Sequence, residues 1–338
     1  MSERIRIRNV YPFSDADKAM LEGLDPRLEW IHDGEDEPAW ADALVDPEVQ
    51  VISGSYSPSS LAGTPRLRWL TTMGAGLDEL VARDPWSLGI EVTNGSGVHA
   101  VHMAEFLLSG VLYASERIAA RVANVEAQGW SDRRGLAGRR LRGRHAVIVG
   151  YGSIGRETAR LLDAFGVRIT AVKNDPATRT DPGWREPGTG DPDGRIPARW
   201  AGPAELAAVV GDADHVLLTA PATPRTAGLV SREVLAAMRP DAWLLNVGRG
   251  ALVDQEALVD ALNGERLGGA YLDVTTPEPL PPGHPLWTAR NCLVAPHVSG
   301  IGDMDALWHQ SALLVAEQLR RDLADEPKLN ITSGAAGY

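Results

Sequence analysis

The sequence predicts an α/β protein of two lobes, each built on a parallel sheet, and three observations carry that prediction. Short apolar runs alternate with helix-like segments along most of the chain, the pattern of repeated strand, helix, strand units. From His99 to about Gly129 the alternation stops and apolar positions recur at helical spacing instead. A length of 338 residues is too great for one ordinary core and suits two domains of ~150 residues each.

The elements follow in order. Ile5–Val10, Val49–Ser53, Leu67–Thr72 and Ile90–Thr93 read as strands of a small parallel unit. Val101, Phe106, Leu107, Val111, Ile118 and Val122 then recur without an intervening proline, so one long helix is expected to run between the lobes. After Arg144, strands are expected at His145–Val149, Arg168–Val172, His215–Ala220, Ala242–Val247, Gly269–Val274 and Cys292–Ala295. Strands in this alternation form a doubly wound sheet, in which ligands sit at the carboxyl ends. Asp175 to Trp200, rich in Pro and Gly, reads as a long loop. A final helix from Gly300 to about Asp325 is expected to return to the first lobe. The expected boundaries are therefore 1–98 with 300–338 for a smaller, discontinuous domain and 99–299 for the larger one.

Composition narrows the function classes. With 44% apolar and 23% charged residues the chain is globular, and a net charge of -12 without a clustered basic stripe excludes nucleic acid as a partner. The basic stretch Arg133 to Arg144 is read as a solvated loop. Cys292, the single cysteine, lies in an apolar run and reads as a small buried hydrophobe without a disulfide partner. No apolar leader opens the chain, and runs such as Val216 to Ala222 are far short of the ~20 residues that span a bilayer, so a cytoplasmic, non-membrane protein is expected.

Gly150-Tyr151-Gly152-Ser153-Ile154-Gly155 follows one expected strand and opens a helix with apolar Ile154, Ala159, Leu162 and Phe165. In that context the first glycine permits a tight turn, the second lets backbone approach a pyrophosphate, and the third lets helix pack on sheet. The pattern points to a Rossmann-type dinucleotide site. An acid at the end of the next strand selects NAD by holding the ribose 2′-hydroxyl. Here Lys173 occupies that position, and Asp175 comes two residues later. NADP(H) is therefore favoured, with Lys173 and Asn174 on the 2′-phosphate. NAD(H) stays possible if Asp175 takes the sugar hydroxyls and Lys173 is merely solvated.

Arg249, His297 and Glu278 each follow an expected strand, at the edge where ligands bind. An arginine grips a carboxylate and carbonyl with paired donors. A histidine donates a proton near neutral pH, and a neighbouring carboxylate favours its imidazolium. Reduction of a 2-keto acid needs this set together with a hydride donor. No metal site is expected.

With these pieces in order, the sequence closely resembles the D-isomer-specific 2-hydroxyacid dehydrogenase family. The likeness runs through Gly74-Ala75-Gly76-Leu77-Asp78, Met103-Ala104-Glu105-Phe106, Gly150 to Gly155, Asn246 to Gly250, Asp273 to Pro281, Ala295 to Gly300 and the tail ending in Gly337-Tyr338. It implies a Rossmann-type cofactor domain plus a smaller flavodoxin-like α/β substrate domain. It further implies that Arg249 orients the substrate, His297 is the acid/base and Glu278 tunes it. By the same resemblance, amides at Ala75 and Gly76 hold the substrate carboxylate, and Asp273 contacts the nicotinamide amide. Thr219, Ala220 and Pro221 lie along the cofactor, with Ser153, Ile154, Val247, Gly248 and Gly300 also beside it, and a homodimer forms through the cofactor domain.

Lys173 departs from the acid of NAD-dependent members and resembles the basic position of glyoxylate and hydroxypyruvate reductases. His99 and His102 read as structural or interlobe residues. Trp287, Trp308 and the stretch Ser53 to Tyr56 are candidate walls of a substrate pocket, alongside packing as the plain alternative. A dinucleotide-sensing, corepressor-like dimer is the reading from another class. Formate or phosphite dehydrogenation is the rival chemistry on the same fold.

Overall fold

A computed structural model describes residues 4–33, 46–54, 61–81, 83–130 and 133–334. Ser55, Tyr56, Gly337 and Tyr338, named above, lie outside the described residues. The chain begins with β1 (Ile5–Asn9), α1 (Asp15–Glu22), β2 (Leu28–His32), β3 (Val51–Ser53), β4 (Trp69–Thr71), α2 (Asp78–Val81) and β5 (Glu91–Thr93). Next come α3 (Ala100–Ser115), α4 (Ile118–Glu126), β6 (His145–Val149), α5 (Ser153–Ala164), β7 (Arg168–Val172), β8 (Arg199–Ala201), α6 (Leu206–Val209) and β9 (His215–Leu218). It ends with α7 (Arg232–Ala237), β10 (Trp243–Asn246), α8 (Gln255–Asn263), β11 (Gly269–Leu272), β12 (Cys292–Val294) and α9 (Met304–Leu323).

Two compact units result: 1–99 with 182–187 and 303–338, and 100–181 with 188–302. The first carries a five-stranded parallel sheet in the order β2-β1-β3-β4-β5, the flavodoxin-like order. Helix α9 lays Ala312, Val315, Ala316 and Leu319 against Ile7, Val51 and Trp69 on one face. Ile52, Leu70, Val92 and Leu77 form the core on the other. Burial of each such large side chain stabilises by ~1.5–3 kcal/mol.

The second unit carries seven parallel strands in the order β12-β11-β10-β9-β6-β7-β8. Counted from β6, the first six read 3-2-1-4-5-6, the doubly wound dinucleotide-binding order, with its reversal between β6 and β9. Strand β6 is buried along its whole length because helices cover both faces, which is why it reads as a continuous apolar run.

Three features depart from the expectation. Strand β2 was not foreseen, although Leu28, Trp30 and Ile31 make it at least as apolar as its neighbour β1; it is a half-buried edge strand. The three-residue edge strand β8 ends the stretch expected to be loop. The long helix is two helices. Arg117 takes the left-handed conformation with φ 54°, and α4 buries none of its residues, so apolar Val122 does not continue the buried stripe of α3. In addition, 182–187 leaves the segment 99–299: Trp184 packs with Val98, Leu307 and Leu314 of the first unit.

Candidate functional site

Register places the functional loops side by side. Val149 pairs with Leu218, Leu218 with Asn246, Asn246 with Leu272 and Leu272 with Val294. The residues that follow, Gly150, Thr219, Val247, Asp273 and Ala295, therefore leave the sheet in a row at its carboxyl edge. The ladder continues one step past the strands: Thr219 N donates to Val149 O (2.9 Å), Val247 N to Leu218 O (3.1 Å) and Asp273 N to Asn246 O (2.9 Å).

The glycine fingerprint fits a dinucleotide. Helix α5 starts at Ser153 with Gly152 as cap and no side chain bonded to its first amides, leaving the positive end of the helix for an anion. A Cβ at Gly152 would meet nothing within 4 Å, whereas one at Gly155 would lie 2.3 Å from Gly150 O. The second glycine opens space, and the third lets the helix close on the turn. Gly150, with φ +96°, packs against Thr219 and Ala220, and Gly248 against Ala220. Ser153 and Ile154 are half-buried in the first turn.

At the end of β7, Lys173 Nζ donates to Thr178 O at 2.8 Å. Burial lowers the pKa of this ammonium from its ordinary value, and the charge of Arg156 adds to the effect. Asn174 is exposed. Asp175 accepts from Ala177 N (3.0 Å) and Thr178 Oγ1 (2.5 Å), which keeps its carboxyl below the usual range. Asp175 is thus engaged by its own turn.

His297 lies two residues beyond Ala295 with φ 57°, and its N donates to Asp273 O at 2.9 Å. Its Nδ1 is 2.9 Å from Glu278 Oε2, and Glu278 Oε1 accepts from Thr275 N at 2.9 Å. With Nδ1–H given to the carboxylate, Nε2 is the nitrogen left for proton transfer. Arg249 is half-buried, its Nη1 donating to Gly248 O at 2.9 Å. A Cβ at Gly250 would fall 2.1 Å from Thr275 O, so the Arg249 turn sits directly on the Glu278 loop.

Asp273, expected beside the nicotinamide amide, is 1% exposed and accepts from Val298 N (2.7 Å) and Ser299 N (3.0 Å), so it shapes the turn between His297 and Gly300. Two supporting residues escaped the sequence reading. Asn246, also buried, accepts from Gly248 N and donates to Arg249 O, both at 3.0 Å. Gln255 holds Thr276 N at 3.1 Å. Buried polar residues at strand ends were the available signal.

The remaining candidates are distributed. Ala75 and Gly76 are exposed after β4 in the first unit, where Asn94 Nδ2 donates to Ala75 O at 3.0 Å. His99 belongs to that unit too, while the ring of His102 covers Gly302 in the second. Trp287 Nε1 donates to Pro281 O at 3.0 Å, and Trp308 packs on Tyr11 with ring centres 5.5 Å apart. Burial pushes the Cys292 thiol up to about 12, as suits an inert hydrophobe. Arg139 and Arg144 of the basic stretch pair with Asp241 and Asp214. No helix among the described residues is long and apolar enough to cross a membrane.

A doubly wound sheet with an uncapped fingerprint helix and a Glu–His pair at its carboxyl edge defines a dinucleotide-dependent oxidoreductase. The family model for the D-isomer specific 2-hydroxyacid dehydrogenase NAD binding domain matches residues 108–299, and the chain belongs to that family. It is an NAD(P)-dependent enzyme of the group. The glyoxylate reductase/hydroxypyruvate reductase of Mus musculus is 34% identical over 239 residues, covering 70% of this chain and 69% of that protein. The glyoxylate reductase of Thermofilum pendens is 29% identical over 313 residues, covering 90% of this chain and 85% of that one. A solved D-isomer specific 2-hydroxyacid dehydrogenase from Xanthobacter autotrophicus Py2, in complex with NADPH and MES, has a TM-score of 0.77 at 27% identity over 100% of both chains.

Proposed function

We propose that this chain reduces small 2-keto acids of the glyoxylate and hydroxypyruvate class to D-2-hydroxy acids, preferring NADPH, with His297 as the general acid. The observation that carries the assignment is the 2.9 Å contact between His297 Nδ1 and Glu278 Oε2 on the sheet edge that also carries the fingerprint. Gly150, Gly152, Ser153, Ile154 and Gly155 hold the pyrophosphate, Thr219 to Pro221 with Val247 and Gly248 line the cofactor, and Lys173 with Asn174 takes the 2′-phosphate. When bound, the dihydronicotinamide would supply the hydride for the 2-carbon. His297 delivers a proton from Nε2 to the developing alkoxide while Glu278 holds Nδ1–H and stabilises the imidazolium. Arg249 grips the substrate carboxylate through its free guanidinium nitrogens and polarises the carbonyl.

A homodimer in the cytoplasm completes the reading. Val122, Val125 and Trp130 are 51%, 74% and 91% exposed on α4 and just after it, an apolar surface that a second copy would cover. The deciding assay follows absorbance at 340 nm with NADPH and NADH against glyoxylate, hydroxypyruvate and pyruvate. Oxidation that is faster with NADPH supports the assignment. A sample that binds cofactor yet oxidises it with none of the three overturns it.

A further inference from the structure

The amino edge of the seven-stranded sheet, at the far end of the strands from the fingerprint, holds a cavity of about 300 Å³ whose lining belongs entirely to the second unit. Its floor is made by the start of β9 and the end of α3. His215 there is 4% exposed, its Nε2 lies 3.4 Å from Ser115 Oγ, and its Nδ1 has no hydrogen-bond partner among the described residues. Burial holds this imidazole neutral at pH 7, so it offers a hydrogen bond and not a charge. Trp243, the first residue of β10, and Tyr113 of α3 form an aromatic wall, their ring centres 6.0 Å apart. A buried ring nitrogen without a partner is unfavourable, and a polar group entering the cavity would relieve it.

The surroundings favour an anion. Among the described residues, four arginines and three carboxylates line the cavity. Two of the carboxylates are already satisfied: Asp241 accepts from Arg139 (2.7 Å) and Arg239 (3.0 Å), and Asp214 pairs with Arg144 at 3.1 Å and Arg239 at 3.6 Å. Two of the lining guanidiniums are not. Arg117 makes no side-chain hydrogen bond or ion pair among the described residues, and Arg290 comes only within 3.9 Å of the exposed Glu265. Ala119 and Ala120, in the first turn of α4, line the same cavity. Arg117 caps that helix in the left-handed conformation, and no side chain bonds its first amides, so the positive end of the helix lies at the cavity as well.

We propose that this cavity binds a small organic anion, a phosphate- or carboxylate-bearing molecule whose charge is held by Arg117, Arg290 and the first amides of α4 and whose uncharged polar part meets His215 and Ser115. Three features of different origin converge on that chemistry: unneutralised guanidiniums, an uncapped helix start and a buried imidazole nitrogen without a partner. Guanidiniums give paired, charge-assisted donors to either kind of anion. The site is distinct from the row Gly150, Thr219, Val247 and Asp273, because β9 and β10 begin at His215 and Trp243 on this edge and end at Leu218 and Asn246 on the other. An occupant bridges α4 to the starts of β9 and β10, and binding of that kind stabilises the folded unit.

Citrate and inorganic phosphate serve as probes, titrated calorimetrically into the full chain carrying Arg249→Ala in excess NADPH, so that the anion contacts of the carboxyl edge are removed or filled. Binding of at least one probe, with a rise in thermal midpoint, is expected. Citrate alone identifies a carboxylate ligand, and phosphate alone a phosphate ester. Adding Arg117→Ala with Arg290→Ala should weaken that binding by roughly tenfold or more. Both side chains are exposed, so the variant folds, and an unchanged midpoint without probe verifies it. Arg195→Ala with Arg232→Ala removes the same charge from exposed positions elsewhere and should leave binding within about twofold, because salt screens distant exposed charges. No heat and no midpoint rise with either probe overturns the site. So does full affinity after loss of Arg117 and Arg290, or an equal loss in the Arg195 and Arg232 variant.

Discussion

His297 and Glu278 meet at 2.9 Å across nineteen positions of sequence, Glu278 held from behind by Thr275 and His297 by Asp273. Thr275 N fixes one oxygen of Glu278, and the Asp273 carbonyl and carboxylate hold the turn from His297 to Ser299. The imidazole thus has its Nδ1 committed to the carboxylate.

Replacing His297 with Ala is expected to lower turnover by ~10²–10⁴-fold while leaving the NADPH dissociation constant near the wild-type value. Near-normal turnover would remove His297 from proton transfer. Glu278→Gln should slow reduction, because the amide replaces the charged acceptor that holds Nδ1 of His297. A kcat equal to the wild type would leave Glu278 with no part in the chemistry. Arg249→Ala should weaken substrate use, read as a fall in kcat/KM for the keto acid with cofactor binding intact.

The glycines of the fingerprint separate binding from folding. Gly152→Ala meets no atom within 4 Å, so its thermal midpoint should match the wild type while NADPH binding weakens by roughly tenfold or more. Gly155→Ala drives a Cβ to 2.3 Å from Gly150 O and should lower the midpoint as well. A Gly152→Ala protein with full affinity would place the pyrophosphate elsewhere.

On the proposed reading, Lys173 carries the preference for NADPH. Its ammonium already donates to Thr178 O at 2.8 Å, and a phosphate would offer a stronger, charged acceptor. Lys173→Ala should raise KM for NADPH by roughly tenfold and change KM for NADH little. Equal effects on both cofactors would make Lys173 a fastener of the Asp175 turn and nothing more.

Stability should depend on pH through His215. This residue is 4% exposed, with its Nε2 3.4 Å from Ser115 Oγ, and burial lowers its pKa from 6.5 to about 4. Between those values the unfolded chain binds a proton that the folded chain refuses. Stability is therefore complete above about pH 6.5 and falls as pH drops toward 4, by up to about 3 kcal/mol from this group. Urea unfolding at pH 7 and pH 5 measures the loss, and His215→Gln should flatten it. An unflattened slope would assign the dependence to other groups.

The sequence by itself determined what is local and periodic. Strands β1, β3 to β7 and β9 to β12, the fingerprint between β6 and α5, and the candidate residues after β10, β11 and β12 were legible because alternation and Gly spacing depend on near neighbours alone. Edge strand β8 is three residues long, too short to show that signal, and in β2 the apolar Leu28, Trp30 and Ile31 break strict alternation. The break at Arg117 was hidden because its left-handed backbone leaves no mark in the apolar spacing. Only the tertiary structure decided which partners meet. The Glu278–His297 contact, the grip of Asp273 on residues 298 and 299, and the bonds from Arg156 and Tyr151 to Asp191 all join positions far apart in the chain. Sheet register and burial select those partners, and neither is written in the periodicity of any one segment.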